Sequence, residues 1–144
     1  MTKDVNLDQL QKDAVEIFNQ LCLFRIYHLC NQEKFWIGNV WRCYCDEFRF
    51  SMGLGGGGCI CGALAGGTMC IGYFRKKTPG DPKINKCFEL TKELHDFFRE
   101  TCGGTCCRIL TKGKEKNSPE RKEQCTKFVA ATVKKTAEII LREL

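Results

Sequence analysis

The chain has 144 residues, with 43% hydrophobic content and a formal net charge of +6. This length suits one domain with a single ordinary core, and the modest charge argues against a nucleic-acid-binding protein. Twelve cysteines are far above ordinary usage, which indicates either a secreted disulfide scaffold or a metal or redox protein. Because a charged amphipathic stretch follows Met1 without an apolar signal region, we predict a cytoplasmic protein with reduced thiols.

The N-terminal third favours two helices. Apolar residues recur at spacings of three and four from Asn6 to about Cys30, which predicts a helix with one buried face. Asn6 or Asp8 is suited to cap it. A second helix is predicted from Lys34 to about Phe50, with bulky aromatic residues on it.

The stretch at residues 51–74 has no charged side chain and holds nine of the 14 glycines. Gly55 to Gly58 are predicted to form a loop, because each glycine costs roughly 1 kcal/mol inside a helix. A helix is predicted from Cys61 onward, and its own glycines, including Gly66 and Gly67, leave one side open to close packing. The stretch is long enough to span a membrane, but four consecutive glycines argue against a lipid-exposed helix.

The C-terminal half favours two longer helices and a short element. A helix is predicted from Ile84 to Arg99, and a short element from Thr105 to Leu110. Ser118 followed by Pro119 and an acidic residue is a strong helix start, because serine caps and proline suits the first position. The predicted core of the first of these helices is Phe88, Leu94, Phe97 and Phe98.

No segment alternates with a period of two, so the predicted fold is all-α. We expect a single domain over residues 1–144, built as a bundle of about five helices with the glycine-rich loop before the third. The last helix carries a stripe that includes Cys125, which predicts that this cysteine faces inward.

The spacing of the cysteines excludes several common sites. No two are three residues apart, which argues against a thioredoxin-type site, a c-type haem attachment, a zinc ribbon and common ferredoxin motifs. A site must therefore combine cysteines from several helices, and Cys61, Cys107 and Cys125 could converge, with a fourth from the N-terminal half. Because Cys106 and Cys107 are adjacent, we expect one of them to point away. Cys70 lies in apolar surroundings and is predicted to be a packing residue.

Cys61 is well placed for a thiolate, because it precedes a predicted helix whose first backbone N–H groups lack partners. Four-thiolate iron–sulfur clusters carry negative charge, and a glycine-rich backbone can bring N–H groups to their sulfur atoms. We therefore predict that the backbone of four glycines contacts such a cofactor: Gly56, Gly57, Gly58 and Gly62.

The motif at Cys61-Gly62-Ala63-Leu64-Ala65-Gly66, followed by Cys107-Arg108-Ile109-Leu110 and by Cys125, resembles the C-GCAxxG-C-C family of redox-active proteins. The resemblance extends from about Phe18 to the end of the chain. It maps three of the family's four cysteines to Cys61, Cys107 and Cys125. For the first cysteine Cys30 has the most suitable spacing, with Cys43 or Cys45 as substitutes. Cys59 is a possible additional ligand, because it adds a thiol beside the site.

A module similar to this family occurs in the dimeric split-Soret cytochromes, where it is associated with an iron–sulfur centre. The resemblance implies that the chain binds a cluster through Cys30, Cys61, Cys107 and Cys125, carries electrons and forms a homodimer. Basic residues gather at Arg75 to Lys86 and at Lys112 to Lys122. Such stretches are most often solvated loops, and the alternative is a surface that docks an acidic redox protein, the partner expected here.

Two other interpretations stay open from the residues alone. A pair such as Cys59 and Cys61 could exchange thiol and disulfide states without a metal, or four thiolates could hold structural zinc in a binding module. The sequence does not decide whether the protein is an enzyme.

Overall fold

The computed structural model describes residues 6–21, 50–74 and 84–143. These residues contain no strand, and one isolated antiparallel bridge joins Ile60 to Cys106. The chain is therefore all-α, as its sequence predicts. Six helices are described, of which two have only four residues: α1 (Leu7–Leu21), α2 (Ser51–Leu54), α3 (Gly62–Phe74), α4 (Ile84–Cys102), α5 (Cys107–Leu110) and α6 (Pro119–Arg142).

Two helix starts follow directly from their capping residues. The Asn6 side-chain oxygen accepts hydrogen bonds from the backbone N–H groups of Asp8 and Gln9, both at 3.1 Å, so Asn6 is the cap of α1. The Ser118 hydroxyl accepts the Arg121 N–H at 3.2 Å, and Pro119 occupies the first turn of α6. Each cap satisfies N–H groups that have no partner within the helix.

Helix α6 is the centre of the packing, because α1, α3 and α4 all contact it. The Phe98 and Phe128 rings meet edge to face, with their centroids 6.0 Å apart, and join α4 to α6. Gly67 lets α3 approach closely, since a Cβ there would lie 2.7–2.8 Å from atoms of Thr136, Leu94 and Thr132. The apolar core contains Leu10, Ala63, Leu64, Ile71, Leu90, Leu94, Phe98, Phe128, Val129, Val133, Ala137 and Ile139.

One core prediction is wrong, because Phe88 is 63% exposed. The buried side of α4 is defined by Leu90, Leu94 and Phe98. Phe88 lies two residues from Leu90, and two residues turn a helix through about 200°, which places it on the opposite side. Phe97 is half-buried, and the Lys135 ammonium lies 5.6 Å from its ring centroid.

Several predictions fall outside the described residues. These are the part of the first predicted helix after Leu21, the second helix from Lys34 except its last residue Phe50, and the candidate ligands Cys30, Cys43 and Cys45. Among the helices of the described ranges, none is both long enough and apolar enough to cross a membrane.

Candidate functional site

Two segments that are distant in sequence pair through their backbones and bring cysteines together. The segment at residues 58–61 lies between the glycine-rich turn and α3, and the segment at 105–108 leads into α5. Three hydrogen bonds join them, from the Cys107 N–H to the Cys59 carbonyl at 2.6 Å, from Arg108 to Gly58 at 2.9 Å and from Cys61 to Thr105 at 2.8 Å.

The glycine-rich turn before this segment has an unusual backbone. Met52 and Leu54 have φ values of 52° and 58°, and Gly53 between them has a φ of 73°. Left-handed backbone costs an ordinary residue about 1–2 kcal/mol. The Gly53 carbonyl accepts the N–H groups of Gly58 at 2.7 Å and Cys59 at 3.3 Å, which closes the turn.

Gly53 also sets how closely the turn approaches the second segment. A Cβ at this position would lie 2.7 Å from the Cβ of Cys107. Real Cβ atoms do not come so close, so only glycine allows the turn to pack against Cys107. The strained turn therefore forms one wall beside this cysteine.

Cys61 is buried immediately before α3. Burial raises the pKa of its thiol to about 11, backbone hydrogen bonds from Ala63 and Leu64 oppose that rise, and the nearby Cys107 and Cys125 thiols add to it. At neutral pH the thiol is therefore protonated unless a cation replaces the proton.

The Cys107 and Cys125 thiols are near enough to Cys61 to raise its pKa, and the three are called the cysteine trio below. The Cys107 thiol is buried, and the Arg121 guanidinium donates to its sulfur at 3.8 Å. Burial and the Cys107 thiol raise the pKa of Cys125, whereas Arg121 and Lys114 lower it. Arg121 precedes Cys125 by four residues on α6, so both lie on the same helix face.

The other described cysteines have different surroundings. Cys106 is half-buried, and its sulfur donates to the Gly58 carbonyl at 2.9 Å, whereas its neighbour Cys107 belongs to the cysteine trio. Cys59 is exposed, and Cys70 is fully buried within α3 as a packing residue, as predicted. Of the two adjacent cysteines, only Cys107 therefore lies with Cys61 and Cys125, as expected.

Two of the four predicted glycines, Gly57 and Gly58, do not direct their N–H groups to a cysteine sulfur. The N–H groups of Gly57 and Gly58 donate to the carbonyls of Leu54 and Gly53 within the turn. The Cys61 sulfur instead receives hydrogen bonds from the backbone of Ala63 and Leu64. Sequence reasoning named neither of these residues, although both lie in the first turn after Cys61, where N–H groups lack helical partners.

Sequence reasoning also missed Arg121 and Lys114, the two cations that act on the Cys125 thiol. The available signal was the spacing of four residues between Arg121 and Cys125 in a predicted helix. No comparable signal marked Lys114, because its position depends on how the loop before α6 folds back. It is held there by a hydrogen bond of 2.7 Å to the Gln124 side chain.

The donor chemistry of the three thiols suits a thiolate-bound iron–sulfur cluster, since sulfur ligands, backbone N–H groups and a guanidinium all favour an anionic centre. The positions of the three thiols do not by themselves form a metal site. Within residues 6–21, 50–74 and 84–143, no three or more cysteine, histidine, aspartate or glutamate side chains are placed to hold a metal ion. Of the other predicted candidates, Cys30, Cys43 and Cys45 lie outside these ranges, and Cys59 lies within them and is exposed.

The family described as "Putative redox-active protein (C_GCAxxG_C_C)" matches residues 45–139. The chain belongs to this family. The resemblance drawn from the Cys61 motif is thereby confirmed, and the matched range contains Cys59, Cys61, Cys107 and Cys125. It begins at Cys45, later than the predicted start near Phe18, and leaves out Cys30. No curated protein and no solved structure matches the chain.

Proposed function

We propose that this family member binds an iron–sulfur cluster through Cys61, Cys107 and Cys125, with Cys30 as the fourth ligand, and transfers electrons. The observation that carries the proposal is the mutual interaction of three thiols from the starts of α3 and α5 and from within α6. When bound, the cluster would supply a one-electron redox centre.

The surroundings of the three thiols support an anionic centre. Ala63 and Leu64 donate backbone hydrogen bonds to the Cys61 sulfur, and Arg121 donates to Cys107. These donors stabilise negative charge on sulfur, and their removal should make the thiolate form less favourable. The expected acidic redox partner, the homodimer and the cytoplasmic location stay predictions, since one isolated chain tests none of them.

Anaerobic purification followed by visible spectroscopy and elemental analysis tests the proposal. We expect absorption between roughly 320 and 450 nm that dithionite bleaches, with iron and sulfide in matching amounts. A folded protein without iron or colour would contradict it. Zinc in place of iron would instead identify a structural zinc site.

The variants Cys61→Ala and Cys70→Ala provide a matched comparison, because each removes one buried thiol next to or within α3. Cys61 interacts with both Cys107 and Cys125, whereas Cys70 lies nine residues further along, within α3. We expect Cys61→Ala to reduce bound iron by about tenfold or more, and Cys70→Ala to retain it. Equal iron in two variants that remain helical by circular dichroism would refute the ligand assignment.

A metal-free thiol–disulfide protein is the second candidate, and the interaction of the Cys61 thiol with those of Cys107 and Cys125 supports it, because a disulfide needs two neighbouring thiols. In this reaction two thiols form one S–S bond and pass two electrons and two protons to a disulfide substrate, which becomes two thiols. Thiol titration before and after treatment with oxidised glutathione tests it. The expected result is a loss of two thiols, with a peptide cross-link among Cys61, Cys107 and Cys125.

A further inference from the structure

A cleft of about 390 Å³ opens beside Cys107. The glycine-rich turn contributes Gly56 and Gly58 to its wall, and no aspartate or glutamate lines it. We call it the basic cleft, because it is lined by five cationic side chains: Arg108, Lys112, Lys114, Lys116 and Arg121.

None of the five cations forms an ion pair with a carboxylate in the described part of the chain, although Lys114 is near enough to Glu123 to help lower the pKa of that carboxyl. Lys114 donates to the neutral Gln124 amide at 2.7 Å, and Arg108 donates to the Gly57 carbonyl at 2.8 Å. Glu115 belongs to the same loop, but it is exposed and does not line the cleft. Positive charges held close together repel one another, and a bound anion would reduce that repulsion. The cleft therefore attracts anions.

We propose that the basic cleft binds a small polyanion with phosphate or carboxylate groups and holds it beside the Cys107 thiol. The volume is in the range of small-molecule clefts, about 300–1,000 Å³. Guanidinium groups bind phosphate and carboxylate with two parallel hydrogen bonds, which suits Arg108 and Arg121 as anchors. Because the Arg121 guanidinium lies 3.8 Å from the Cys107 sulfur, an anion on Arg121 would be next to the thiol.

This inference goes beyond the proposed function, because charge and shape carry it and neither a cluster nor a disulfide is needed. A recessed cleft with a thiol in its wall favours a small ligand over the flat surface of an acidic protein. The bound anion would be part of a redox substrate only if the thiols are redox-active as proposed above.

Calorimetric titration of the purified full chain with inorganic pyrophosphate, and separately with malonate, tests the proposal. We expect saturable binding of one anion per chain, weakened about tenfold or more in Lys112→Gln/Lys116→Gln. The variant Lys112→Arg/Lys116→Arg keeps the charges and should bind like the wild type. Visible absorbance during each titration checks that pyrophosphate does not remove bound iron.

The matched control is Lys12→Gln/Lys92→Gln, which removes the same charge from the other end of the bundle. Lys92 is next to Glu93, which contacts the C-terminal turn of α6, and Lys12 is one turn from Asp8, which contacts Lys134. We expect this control to bind both anions like the wild type. Equal weakening in the two double variants would overturn the proposal, because it would show only a general effect of net charge.

Two further results would also overturn it. One is the absence of saturable binding by the wild type. The other is binding of a ten-residue glutamate peptide without binding of either small anion, which would indicate an acidic protein partner. Iron content separates this inference from the proposed function. Failed anion binding in an iron-containing protein refutes the cleft alone, and anion binding by a protein with no iron and inert thiols refutes the proposed function alone.

Discussion

The two ends of α6 carry the same types of basic residue in opposite electrostatic settings. At the C-terminal end, Glu93 of α4 accepts Arg142 at 2.7 Å and Lys135 at 2.8 Å. These hydrogen bonds to Arg142 and Lys135 lower the pKa of Glu93 to about 2. At the N-terminal end, Arg121 faces a thiol, and no carboxylate shares its cleft.

The basic side chains behind the net charge of +6 therefore have different partners at the two ends of α6. At the Glu93 end, positive charges hold two helices together. At the thiol end, they are left for a ligand or for negative charge on sulfur. A distribution of this kind is invisible in the total charge, and it is the basis of the anion site proposed at the thiol end.

The largest expected effect on stability is at the thiol end, from Gly53→Ala. The new methyl group would meet the Cys107 side chain, and alanine would also adopt a positive φ, so overpacking and backbone strain add to about 3 kcal/mol. Gly55→Ala is the control, since it has a φ of +64° but open space around it, and should lose about 1 kcal/mol. Urea unfolding measures the free energy of unfolding of both variants. An equal loss of stability in the two would show that the contact with Cys107 contributes nothing.

The next largest effect is expected in α3, where it packs against the middle of α6, from Gly67→Ala. Its methyl group would collide with Thr132, Thr136 and Leu94, at a cost of about 1–3 kcal/mol. Gly66→Ala has free space and should instead gain about 0.5–1 kcal/mol from better helix propensity. The midpoint temperature of thermal unfolding should therefore fall for Gly67→Ala and rise for Gly66→Ala. Shifts in the same direction would contradict the close packing of α3 on α6.

The smallest effect is expected at the Glu93 end, from Glu93→Gln. Because the pKa of Glu93 is depressed in the folded state, its contribution is present above the unfolded value of 4.5 and is lost as the pH falls toward 2. After solvent screening we expect a loss of about 0.5–1 kcal/mol at pH 7, and none near pH 2. Unfolding at both pH values measures this.

The control for Glu93→Gln is Glu100→Gln, which changes an exposed residue of the same helix. It should leave stability unchanged at both pH values. A loss for Glu93→Gln that persists near pH 2 would show that packing, rather than charge, is the source of the effect.

The helices were predictable where local chemistry determines them. The Ser118-Pro119 start of α6 and the Asn6 cap of α1 follow from hydrogen-bonding capacity that the sequence displays. Phe88 was misassigned because hydrophobicity was given more weight than helical phase relative to Leu90 and Leu94.

The site was predictable in part. Cys61, Cys107 and Cys125 were named from their sequence context, and the Cys107 and Cys125 thiols act on the pKa of Cys61. Their role as ligands stays a prediction. The positive φ values at Met52 and Leu54 could not be foreseen, because neither residue favours that conformation. The turn is instead closed by backbone hydrogen bonds to the Gly53 and Leu54 carbonyls. The basic cleft likewise depends on how the loop at residues 111–118 folds back over Arg108.

The backbone pairing beside the thiols has a consequence for the order of folding. The Cys106 sulfur and the Gly58 carbonyl that it contacts are 48 residues apart in the chain. Closing so long a loop is entropically costly, so this contact should form only after α3 and α4 have docked. In a chain growing from its N-terminus, Cys61 emerges well before Cys107 and Cys125. We therefore expect its thiol to be most accessible to oxidants during synthesis, and to become shielded once α5 and α6 are in place.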